Sequence, residues 1–143
     1  MRRMLAIAYA VSTVVLAGCG SDSSTDPTQS SLAGNSALVG TWNLTSVNGA
    51  ALPLLLQQSD PKVELLSDQL VVLANGKFTR SLLARFTDGT DSSTQTYPDS
   101  GTYSIRGAAA VFTFADGSGG MGTLVGNLMT VSGTGIPFVY QRQ

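Results

Sequence analysis

Few side chains in this sequence are equipped for chemistry, and their types narrow what it does. Among 143 residues there is no histidine and a single cysteine, Cys19. Without histidine the commonest general base is missing, and a lone cysteine has no disulfide partner within the chain. Carboxylates such as Asp88 and Asp99 are the remaining acid–base candidates, and nothing positive favours a reaction built on them. No grouping of His, Cys, Asp or Glu has metal-ligand spacing. The stretch GSGGMG, residues 117–122, matches the G-x-G-x-x-G phosphate fingerprint, which needs a following helix to aim its N-terminus at the phosphate. TLVGNLMTV follows instead and reads as a β-hairpin, so no nucleotide site is expected. The expectation is a chain that is not an enzyme and carries neither metal nor cofactor.

Charge narrows the choice further. Eight basic residues face nine acidic ones, or six face nine if Arg2 and Arg3 leave with a leader. Six scattered cations make no phosphate-neutralising patch, so nucleic acid is not an expected partner. Two cations nevertheless fall on apolar strand faces. Arg80 lies between Phe78 and Leu82, and Arg142 continues the line of Phe138 and Tyr140. An inward Arg80 would pair with a ligand carboxylate, whereas a slip at a bulge would send it to solvent. The rarity of buried unpaired charge favours the solvated position.

The elements that must position these groups begin after an export signal. MRRM is a positive n-region, and LAIAYAVSTVVL is an apolar run of twelve residues, the design of a secretory leader. The stretch LAGC, Leu16 to Cys19, resembles the lipobox of bacterial lipoproteins. That resemblance implies lipidation of Cys19, cleavage after residue 18 and a lipid anchor in the membrane. Gly20 after the cysteine resembles the sorting pattern of outer-membrane lipoproteins, with the domain facing the periplasm. Residues 20–36, rich in Ser, Thr, Asp and Gly, cannot bury enough surface to offset their ordering entropy. With Cys19 they form an expected flexible tether over 19–36, spanning roughly 20–25 Å on average. Residues 37–143 are the folded unit.

Within that unit, Asn75-Gly76, Asp88-Gly89, Asp116-Gly117 and Gly126-Asn127 mark hairpin turns. The segments between them predict strands near 40–47, 63–74, 77–87, 93–105, 109–115, 120–125, 128–132 and 136–142. Eight strands joined mainly by short turns remove their edges most economically by closing into an antiparallel up-and-down barrel; an open sandwich is the alternative. Period-two alternation aligns Phe78, Leu82, Ala84 and Phe86 on one face, and Phe112 with Phe114 on another.

Gly40-x-Trp42 opening the first strand, SGTYSI at 100–105 and an aromatic last strand ending in Arg142 resemble the lipocalin and calycin pattern, closest to small bacterial lipocalin-like domains. The resemblance implies that Trp42 closes the barrel floor beneath Gly40, with Arg142 packed on its ring. It also implies a small hydrophobic ligand, a fatty acid or other lipid. The candidate lining is Leu54, Leu55, Phe78, Arg80, Leu82, Phe86, Tyr103, Phe112, Phe114, Phe138 and Tyr140, with Ile105 beside them. Residues 48–61, rich in leucine, form either a lid over the mouth or a short helix plugging it, and the burial that adjacent leucines demand favours the plug. The competing function is a filled barrel with a structural or protein-interaction role in the envelope.

Overall fold

Turn chemistry sets where the strands end. In the computed structural model, residues 35–143 are described; the leader, Cys19 and the tether as far as residue 34 lie outside the described residues. A short 3-10 turn at Asn35–Ala37 leads into β1 (Gly40–Val47), and Asn48 and Gly49 both take positive φ, as a tight hairpin requires. They return the chain into β2 (Ala50–Ala51), followed by β3 (Leu54–Gln57). Seven longer strands then alternate in direction: β4 (Lys62–Val72), β5 (Lys77–Asp88), β6 (Asp91–Arg106), β7 (Ala109–Phe114), β8 (Gly119–Val125), β9 (Leu128–Ser132) and β10 (Pro137–Arg142).

Consecutive strands from β4 to β10 pair antiparallel, β10 pairs with β1, and β1 pairs with β4. The result is the closed, all-β, eight-stranded up-and-down barrel that the turn spacing predicts. Closure is short. β1 meets β4 over only four rungs, from Gly40 opposite Val72 to Asn43 opposite Gln69, and on the last the Gln69 amide donates to Asn43 Oδ1 at 3.1 Å. Beyond that rung the two strands part, β1 taking β2 as its neighbour and β4 taking β3. Residues 48–61 therefore contain two short strands that widen the mouth, not the helix expected as a plug. The leucines pair along the β4 edge because that edge is unclaimed above Gln69.

The lower half is filled by its own side chains. Trp42, Phe78, Phe112, Met129 and Val72 are fully buried there, with Phe78 edge-on to Phe112 at 5.3 Å and to Phe114 at 5.1 Å. Glycines make this density possible: a Cβ on Gly101 would fall 2.1 Å from the Thr113 carbonyl oxygen and 2.7 Å from the Phe78 ring, and one on Gly122 would fall 2.7 Å from the Phe112 ring. The glycine run at 117–122 thus serves packing in and before a strand. On the opposite side, β5 and β6 extend above the barrel as a long hairpin. The first ten residues of β6, 91–100, pair with β5 but not with β7, and all are exposed.

Gly101→Ala should destabilise the barrel by about 1–3 kcal/mol, the usual cost of overpacking a filled core. The midpoint of urea unfolding would measure it, and an unchanged midpoint would contradict the packing described.

Candidate binding site

The two inward cations occupy opposite ends of the barrel. At the base, Arg142 opposes Trp42 on neighbouring strands, its guanidinium carbon 4.6 Å from the indole ring centroid. Trp42 Nε1 donates to the Leu38 carbonyl at 2.8 Å, and Arg142 Nη2 donates to the Ala37 carbonyl. The 3-10 turn is thereby tied under the floor. Arg142 Nε is buried with no hydrogen-bond partner among the described residues, leaving the indole face as compensation for the charge, worth about 0.5–2 kcal/mol.

Higher in the barrel Arg80 points inward, against the solvated position favoured from sequence, because it has a partner the sequence reading overlooked. Asp68, 1% exposed, shares the inner face of β4 with Leu70 and Val72. Arg80 Nε and Nη2 donate to its carboxylate at 2.6–3.0 Å, and the Tyr140 hydroxyl donates to Oδ2 at 2.9 Å. Burial by itself disfavours the Arg80 charge, but the hydrogen bonds and charge of Asp68 hold its pKa above the ordinary value. Burial, then the neighbouring Asp68 charge, push the Tyr140 phenol well above its ordinary range. Arg80 is therefore no free cation waiting for a ligand carboxylate: its counter-ion is built in.

Two recesses open above this layer. One, of about 220 Å³, is bounded by Arg80, Phe114, Val131, Phe138 and Tyr140, with Ser118 and Thr134 at its rim. The other, of about 390 Å³, lies where β1 and β4 diverge and is lined by Val47, Leu54, Leu56, Leu65, Ile136 and Phe138. Phe138 borders both. Ile136 and Leu56 leave 45% and 56% of their surface in solvent, an unusual state for neighbouring large apolar side chains.

The expected lining residues divide accordingly. Leu54, Arg80, Phe114, Phe138 and Tyr140 border the recesses. Phe78, Tyr103 and Phe112 do not: they are buried in the filled lower half, where eight strands leave width only for side chains. Leu55 is also displaced, because it pairs with Glu64 on the outer side of β4 and is 44% exposed; Leu56, next in sequence at the strand irregularity, takes the mouth position. Leu82 packs against the core and Phe86 stacks obliquely with Tyr97 at 6.4 Å, both on the hairpin above the barrel and outside either recess. Asp68 could have been found from the turn at Asn75-Gly76. The register that places Arg80 opposite Leu70 puts Asp68 on the next diagonal of the same face.

Comparison with protein-family models, with curated proteins and with solved structures gives no match.

Four substitutions test these assignments. Asp68→Ala should cost about 3 kcal/mol, since it strands a largely buried guanidinium, and Asp68→Ala combined with Arg80→Met should recover part of that loss in urea unfolding. Arg142→Ala should cost about 1–2 kcal/mol and redden the Trp42 emission while leaving the mouth unaltered. Tyr140 is neutral in the fold with a raised pKa, so its contribution is complete below about pH 10 and is lost as pH rises toward the folded value. Tyr140→Phe should therefore flatten the alkaline fall in stability by up to about 1.4 kcal/mol per pH unit; Tyr103, also raised by burial, leaves a residual slope. Parallel stability–pH curves would contradict the Tyr140 assignment.

Proposed function

We infer that this chain is a lipid-anchored envelope protein whose barrel, resembling the lipocalin type, holds a small hydrophobic molecule, a fatty acid or other lipid, at its open mouth. The observation that carries the reading is the pair of recesses meeting at Phe138, one apolar and one ending on Arg80 and Tyr140. The larger falls within the usual range for small-molecule pockets, and a lipid chain in it would cover Leu56 and Ile136. The base is sealed by Trp42 and Arg142, so ligand enters and leaves from one end. No reaction is assigned to it: the role is retention. The anchor rests on the LAGC stretch at Cys19, and the outer membrane facing the periplasm on Gly20.

The second reading, a barrel without ligand that meets another envelope component, is favoured by the filled lower half and by the one-sided strand at 91–100. Native mass spectrometry separates the two. After exposure to an envelope lipid extract, the protein should retain a lipid adduct, and Ile136→Asp with Leu56→Asp should reduce it at least about tenfold without shifting the melting temperature, since both side chains are half in solvent. Absence of any adduct would transfer the function to the second reading. Metabolic palmitate labelling should be lost in Cys19→Ala; labelling that persists would remove the anchor.

A further inference from the structure

The charge balance around Arg80 restricts what the head of the ligand can be. Arg80 and Asp68 cancel, and Asp99 stands directly across from Arg80 on β6. Among the described residues, Arg80 is the one charged side chain lining the smaller recess, with Asp68 and Asp99 behind it. An anionic head entering it would meet a cation already neutralised and a further carboxylate nearby. It would lose its hydration without a net opposite charge to replace it.

Hydrogen-bonding capacity remains even though net positive charge does not. Nε and Nη2 of Arg80 are engaged by Asp68, and among the described residues no acceptor is bonded to Nη1. The guanidinium has five N–H donors, so at least two remain for an incoming acceptor. At the rim the Thr134 hydroxyl can donate and accept, whereas Ser118 Oγ, which gives its proton to Asp116 Oδ1 at 2.6 Å, is left as an acceptor. Phe114, 5.6 Å from the guanidinium carbon, closes the recess on an apolar side.

Building on the hydrophobic-ligand reading, we propose that the recess above the Asp68–Arg80–Tyr140 layer selects a single-chain amphiphile with an uncharged, oxygen-bearing head, such as an alcohol or a glycerol ester, over one with a carboxylate. The carbonyl or hydroxyl oxygen accepts from Arg80 Nη1, a head hydroxyl donates to Ser118 Oγ or exchanges hydrogen bonds with Thr134, and the chain lies past Phe138 toward Leu54 and Ile136. A carboxylate accepts hydrogen bonds equally well but adds a charge that the site repels.

Competition native mass spectrometry on the full chain carrying Cys19→Ala, with 1-oleoylglycerol, oleyl alcohol and ionised oleate as matched-chain probes, tests this. The neutral probes should bind on the order of tenfold tighter than oleate, the scale of one partly screened charge interaction. Asp99→Asn, an exposed change that leaves the core intact, should raise oleate affinity severalfold. Asp68→Asn should reverse the preference if circular dichroism shows it folded; if it does not fold, Asp99→Asn carries the test. Oleate binding as tightly as the neutral probes, or unmoved by Asp99→Asn, overturns the neutral-head selection and leaves the hydrophobic-ligand reading standing. Failure of all three probes and of the lipid extract removes that reading itself.

Discussion

Everything above the base follows from a closure only four rungs long. Gly40 to Asn43 against Val72 to Gln69 is enough to complete the cylinder, because each rung joins backbone groups that would otherwise lie bare at two sheet edges. The Gln69 to Asn43 hydrogen bond fastens the last rung from outside. Past it, β1 and β4 each bond to a different short strand, and the cylinder opens into a flared rim. One molecule therefore has two unlike ends. The base is narrow, dry and tied by Trp42, Arg142 and Leu38; the rim is wide and lined by leucine, isoleucine and phenylalanine.

Between these ends lies the layer of Asp68, Arg80 and Tyr140. A buried ion pair contributes little net stability, yet losing either partner is costly, and that asymmetry makes it a registration device. A one-residue slip of β5 against β4 would carry Arg80 to the outer face and leave Asp68 alone in the interior. The apolar alternation alone penalises such a slip by exposing Phe78 and Leu82. The ion pair penalises it again at a separate point, so the filled lower half and the recessed upper half keep a fixed boundary.

The number, order and direction of the eight barrel strands were legible because their turns carry Asn-Gly, Asp-Gly and Gly-Asn pairs whose glycines take positive φ, and because Phe78, Phe112, Phe138 and their neighbours alternate cleanly. The apposition of Trp42 and Arg142 was legible only through family resemblance. Two short strands were not, since two residues of alanine and four of mostly leucine have no period to read. Within the site, residue types did not separate recess from core: Phe112 and Phe114 look alike in sequence, and only their height in the cylinder differs. Arg80 was misread for want of a partner: Asp68 joins the inward face of Leu70 and Val72 only once the register of β4 against β5 is counted back from the Asn75-Gly76 turn.

The ten residues at the start of β6 have a consequence for the molecule among its copies. A barrel abolishes sheet edges, but this one regains an edge at its crown, where 91–99 pair with β5 and with no strand on the other side, the first bond across coming from Ala115 N–H to the Ser100 carbonyl. Crowded on a surface, such an edge invites another chain to add to it. Here the invitation is refused by composition. Asp91 and Asp99 set like charges against any antiparallel twin, Pro98 lacks the N–H that a new rung would need, and Ser and Thr supply most of the remainder. Solubility at high local density thus depends on three residues near the crown, far from the core that determines stability.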